Sequence, residues 1–327
     1  MLRNRIFALT FLTFAAAAIS TGIGATSSGN IFTLLFSNLS PEQSEILTSI
    51  RLPRIATALF AGFLIGIAGA TLQRAFANPL AEPTLLGTTA AASLGSVVAI
   101  LFGASSTNPL VTLPFAFLLA LVISLFTVRL AGRINLRSTN LIIVGVALAA
   151  FINGVIATIA AISGNKEIRA LNFWTSGTLS YSRLDTVVLL GSVTAVIVVS
   201  VPYLSKRLDL FVFDDIQLNL LGHSPRKLRY ISLAIASLAV AASVVTIGSV
   251  AFIGLAAPFM ARALFGESMK VSLWSSGLFG SLLLVISDAL ARSVAAPNEL
   301  PITFVTSIIG APFLIALIVG RKGARHA

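Results

Sequence analysis

Long apolar blocks follow one another along the chain, most of them close to the roughly 20 residues an α-helix needs to cross a hydrocarbon layer. They fall at 5–25, 52–72, 84–103, 111–131, 139–161, 183–204, 229–249, 251–265, 271–292 and 301–320. The pattern predicts an all-α polytopic membrane protein with ten transmembrane helices, a single domain over 1–327. No charge separates the seventh and eighth blocks, and the eighth is short. Gly248 and Gly254 bracket a place where a turn would be buried within protein rather than set against lipid. Gly62, Gly66 and Gly69 give the second block a small-residue face that lets helices approach closely.

Composition supports this reading. Hydrophobic residues make up 57% of the chain, charged residues 10%, and the mean hydropathy is +0.98. A soluble fold of this size would lack the polar side chains to cover itself. The net charge of +11 does not imply nucleic acid, because the basic residues sit in short connectors between apolar blocks. With the N-terminus inside, only Arg51, Arg54, Lys166, Arg169, Arg183 and Arg292 of the 22 Lys and Arg residues fall outside. That orientation obeys the positive-inside rule, and it predicts two cytoplasmic termini. Residues 1–25 look like a signal peptide, but the length of the run and the spans that follow predict an uncleaved first helix.

Candidate chemistry is sparse. There is no cysteine, and His223 and His326 in connectors cannot alone build a metal site. No phosphate-binding fingerprint is present, so any ATP hydrolysis belongs to another polypeptide. Within the spans the polar candidates are Asn140, Asn153 and Asp288, the last four residues before Arg292 and placed for a helical ion pair. A path this bare suits a bulky substrate moved by energy supplied elsewhere and points away from an ion-coupled secondary transporter.

Three connectors carry more information. In 205–230, Asp214 and Asp215 open a short apolar helix that Gly222 can end, and Ser224-Pro225 can start the next. This cytoplasmic loop is either a docking surface or a topology-fixing connector. The segment from Gln73 through Asn78, Pro79 and Glu82 is a proline-stiffened inner turn, with Glu82 placed to counter the dipole of the helix that follows. Arg51, Arg54 and Arg292 lie at the outer side, where the positive-inside rule disfavours them. A salt bridge to an acidic soluble protein, internal pairs and lipid headgroups are all open readings.

Four stretches carry a resemblance: RLPRIATALFAGFLIGIAGATLQRAFANPLAEPTLLG at 51–87, LLGHSPRKLR at 220–229, GSVAFIGLAAPFMARALFG at 248–266 and NELPITFVTSIIGAPF at 298–313. In this order they resemble the FecCD/BtuC-like permeases of bacterial ABC importers, which take up iron-siderophores, haem and vitamin B12, over about residues 48–320. One departure is Pro258-Phe259, where the family carries an apolar-His motif. The resemblance implies the type II importer permease fold and a permease without enzymatic activity in the bacterial inner membrane. Its implied partners are a second permease subunit, identical or related, two ATPases that bind ATP and Mg, and a periplasmic or lipid-anchored binding protein. The implied cargo is a ferric siderophore, with haem or vitamin B12 as alternatives. Arg51, Arg54 and Arg292 then resemble arginines that meet glutamates of the binding protein. Asp214, Asp215, Leu220, Leu221, Gly222, His223, Ser224, Pro225 and Arg226 resemble the coupling helices seated on an ATPase. The turn of Gln73, Asn78, Pro79 and Glu82 resembles the bend below the path-lining helices.

Overall fold

A computed structural model describes residues 2–23, 40–104, 108–134, 138–163, 176–266, 268–296 and 298–323. The expected external cations Lys166 and Arg169, the internal Arg137 and Arg325, and His326 lie outside the described residues. Every apolar block has its helix: α1 (Leu2–Ser20), α3 (Leu52–Ala75), α4 (Thr88–Leu101), α5 (Pro109–Ile134), α6 (Ser138–Ile162), α7 (Leu184–Asp209), α9 (Pro225–Ile247), α10 (Ile253–Phe265), α11 (Met269–Ser293) and α12 (Ile302–Gly323). Among the described residues two further short helices, α2 (Pro41–Ile46) and α8 (Asp215–Leu220), lie in connectors. Among the described residues six of the ten, α3, α5, α6, α7, α9 and α11, are long and apolar enough to cross a membrane, while α1, α4, α10 and the described part of α12 are shorter.

The element boundaries follow local chemistry. A π-helical turn, Leu47–Arg51, carries α2 straight into α3. Ser40 caps α2, and Asp214 caps α8 with a reciprocal Gln217 bond, at 2.7 Å and 3.1 Å. Ser224 caps α9 with Pro225 in its first turn. α7 runs on to Asp209, so the loop expected from 205 is shorter at its start. α4 starts at Thr88 rather than at 84, because residues 76–87 turn without regular structure.

At the centre is α3, whose side chains from Ala61 to Gln73 are all buried. It packs against α11, α9, α10 and α7. Gly62 and Gly66 face the backbone of α11 at Gly280 and Ser276, and Gly69 faces that of α10 at Gly254. A Cβ at any of the three would overlap backbone atoms. Dispersion at this short separation, rather than a hydrophobic driving force, is what holds helices together in lipid.

The break between α9 and α10 is buried in protein, as the flanking glycines predict. Gly248 (φ 75°) ends α9, and Phe252 (φ 67°), a non-glycine residue in the left-handed region, precedes α10. Its carbonyls find partners across the fold: Thr178 N–H donates to Ile247 O at 2.8 Å and Thr303 Oγ1 to Ser249 O at 2.6 Å. Irregular backbone at membrane depth is tolerated only when paired in this way.

Candidate functional site

The chain gathers its unusual polar chemistry at two ends of the helix bundle and in one turn between them. At the first end, Arg54 near the start of α3 makes two forked contacts. Nε and Nη2 donate to Asp288 Oδ1 at 2.9 and 2.8 Å, while Nη1 and Nη2 donate to the two oxygens of Glu299 at 2.8 and 2.9 Å. Asp288 also pairs with Arg292 one helical turn away, at 3.1 Å, the ion pair expected from the sequence. Arg292 further donates to Ile23 O and Ser20 Oγ, both at 2.7 Å, and Arg51 donates to Thr21 O. The arginines therefore close off the end of α1, where helix carbonyls lack intrahelical donors.

Of the readings left open for Arg51, Arg54 and Arg292, internal pairing is the one present: the three are 5%, 6% and 7% exposed and hold partners within the chain. A guanidinium this deep needs compensating acceptors, and Asp288, Glu299 and the α1 carbonyls supply them. Sequence reasoning missed Glu299 and Ser180. The signal was Glu299 itself, an acid inside the NELP motif on the arginine side. Burial alone would raise the Glu299 carboxyl, but hydrogen bonds from Arg54 and from Ser180, with the charges of Arg54 and Arg292, outweigh it and hold it below the ordinary carboxylate value.

At the opposite end lies the 210–229 connector. Asp215 and Arg229 form a bidentate pair at 2.7 and 2.8 Å, and Arg229 Nε donates to Ala75 O at the end of α3, at 3.2 Å. Arg74 Nε likewise donates to Leu208 O on α7. The turn at Gly222 is closed by His223 N–H on Leu218 O at 2.9 Å, with Leu218 buried. Ile216, Leu220 and Leu221 stand exposed, Leu220 at 83%. Arg226 stacks on Tyr230 at the start of α9. The connector is thus a braced element with an apolar tip.

The turn after α3 differs from its expected form. Pro79 and Leu80 are its exposed tip, held by Asn78 Oδ1 accepting from Leu80 N–H at 2.9 Å. The chain then dives inward, burying Ala81, Glu82 and Pro83. Gln73 Nε2 reaches Gly254 O at 3.5 Å. Glu82 does not counter the dipole of α4, which starts six residues later. It accepts from the Thr84 side chain and from the backbone N–H of Phe252, at the start of α10, and packs beside Gly254. An amide at a helix start can compensate a buried carboxylate, and the fold offers α10 for this rather than α4, but only in part: Glu82 Oε1 is buried without a hydrogen-bond partner among the described residues.

Among the described residues no group of three or more His, Cys, Asp or Glu side chains could hold a metal ion. The model of the FecCD transport family matches residues 9–320. The Fe(3+)-citrate import system permease protein YfmE of Bacillus subtilis is 33% identical over 317 residues, covering 96% of this chain and 94% of that protein. The vitamin B12 import system permease protein BtuC of Vibrio vulnificus is 31% identical over 300 residues, covering 90% and 89%. A solved inward-facing structure described as a metal-chelate-type ABC transporter superposes with a TM-score of 0.79 at 28% identity, covering 98% of this chain and 99% of that one. The ten-helix fold, the four motifs in order and these full-length matches agree: the chain belongs to the FecCD transport family of bacterial ABC-importer permeases.

Proposed function

We propose that this chain is the membrane permease of an ATP-driven importer for ferric siderophores, one of two permease subunits that form the path. The observation that carries this reading is the braced connector with its apolar tip. Ile216 and Leu220 on α8, and Leu221 just past its end, form an exposed apolar tip of the kind a partner covers. The Asp215–Arg229 pair and the Arg229–Ala75 bond tie that tip to α3. A partner ATPase seated on residues 214–229 would pull on α3 directly. A binding protein would dock at the arginine end, reaching Arg51, Arg54 and Arg292 by competing with Asp288 and Glu299 for their guanidinia. That topology puts both termini and the α8 tip in the cytoplasm, as the charge pattern favours. Gln73, Asn78, Pro79 and Glu82 would gate or border the inner end of the path.

The iron-chelate cargo is supported by the ferric-citrate relative. The B12 relative favours a second reading, vitamin B12 import by the same mechanism, with haem as a further alternative. The test is reconstitution in liposomes with the ATPase and the binding protein. Ferric chelate should enter only when ATP is supplied to the ATPase side. Uptake of vitamin B12 or haem but not of ferric chelate would replace the cargo. Uptake without the ATPase, driven by a proton or sodium gradient, would sink the mechanism.

A further inference from the structure

Three arginines open onto one cavity at the basic end of the bundle, and only one of them has a carboxylate. The cavity, about 670 Å³, lies between the end of α5 and the start of α9, and its walls include Arg129, Arg226, Arg229, Tyr230, Asp215 and Asn219. Arg229 takes both oxygens of Asp215. Arg226 Nε donates to Tyr230 Oη at 2.8 Å, and Arg129 reaches the same phenol oxygen. Among the described residues neither Arg129 nor Arg226 has an ion pair. Two guanidinia thus converge on one neutral oxygen, beside the positive dipole end of a 23-residue helix. Such an arrangement attracts an anion with several acceptor oxygens, because one neutral acceptor cannot offset two adjacent positive charges.

The surroundings narrow the choice of anion. On α5, Leu118, Val122 and Phe126 are exposed at four-residue spacing and form an apolar stripe that runs down to the level of Arg129. A lipid whose chains follow that stripe would bring its headgroup to the cavity.

We propose that this cavity binds a phosphate group between Arg129 and Arg226. Its membrane source is an anionic phospholipid, which the stripe favours, and its soluble source is free phosphate. The site goes beyond the transport reading and depends on neither the cargo nor the ATPase. The test titrates the purified full-length permease in detergent with phosphatidylglycerol, phosphatidylcholine or inorganic phosphate, and resolves bound species by native mass spectrometry. Phosphatidylglycerol should bind more tightly than phosphatidylcholine. The double variant Arg129→Gln with Arg226→Gln should weaken it about 30-fold. Lys206→Gln, an exposed cation at the same end but outside the cavity, should leave it unchanged. Each single variant should cost about fivefold, which keeps the test open if the double variant fails to fold. Saturable inorganic phosphate binding that the same variants abolish, without lipid retention, would assign the soluble source. Equal lipid retention by wild type and variants, with phosphate binding unaffected, would overturn the site.

Discussion

Replacing Arg54 with Gln separates an internal clamp from a docking residue. The substitution removes the charge and the fork that holds Asp288 and Glu299 together. Asp288 is almost wholly enclosed and would keep only Arg292, at 3.1 Å. Breaking one partner of a buried pair costs about 3–5 kcal/mol. Retention of Arg292 puts Arg54→Gln at the lower end of that range. Glu299, with 36% of its side chain exposed, can rehydrate, so its share is about 0–1 kcal/mol. The expected destabilisation is therefore about 3 kcal/mol, roughly a 150-fold shift in the folded-to-unfolded ratio. Equilibrium unfolding in mixed micelles measures it. A double-mutant cycle with Asp288→Asn should show a coupling of about 2 kcal/mol, and a cycle with Glu299→Gln about 1 kcal/mol or less. Binding of a substrate-binding protein to the folded fraction is measured in parallel. A stability change within about 0.5 kcal/mol of wild type, together with a large loss of partner affinity, would refute the clamp and restore a surface role.

Three further outcomes follow from the same geometry. Gly66→Ala forces α3 away from the α11 backbone at Ser276 and should destabilise by about 1–3 kcal/mol in the same unfolding assay. Leu220→Glu alters an exposed tip and should leave stability within about 0.5 kcal/mol while abolishing copurification of the ATPase; unchanged copurification would remove α8 from the interface. The Glu299 carboxyl is held below its ordinary value in the folded state, so its contribution is present above the unfolded value of about 4.3 and is lost as pH falls through the lower folded value. Unfolding of wild type and Glu299→Gln against pH should therefore converge at acid pH, and a difference that persists below the folded value would contradict the pairing.

The spans were legible because twenty-residue apolar blocks have few alternatives in lipid, and even the hidden break between α9 and α10 was marked by Gly248. The α8–α9 connector was legible too, since caps such as Asp214 and Ser224-Pro225 act within a few residues. What local pattern cannot carry is which buried charge meets which. Arg54 and Glu299 are 245 residues apart in sequence, and nothing in either neighbourhood states that one closes on the other. Positive-inside counting marked Arg51, Arg54 and Arg292 as unusual but left internal pairing and docking both open, because only the fold shows the partners within reach. Glu82 failed for a similar reason: helix-dipole logic offered the nearest helix start, and the fold brought a distant one closer.

The way α3 is fastened has a mechanical consequence. Its 24 residues span about 36 Å. One end is clasped through Arg54 to α11 and the connector before α12. The other is clasped through Arg74 and Ala75 to α7 and the first turns of α9. On its Gly62, Gly66 and Gly69 face it lies directly on neighbouring backbones, so no side chain stands between the helices there to bend and absorb a displacement. A push delivered at α8 is therefore not dissipated along the way: α3 behaves as a tie rod, and motion at one face of the membrane reaches the salt-bridged mouth at the other as a shift of the whole rod.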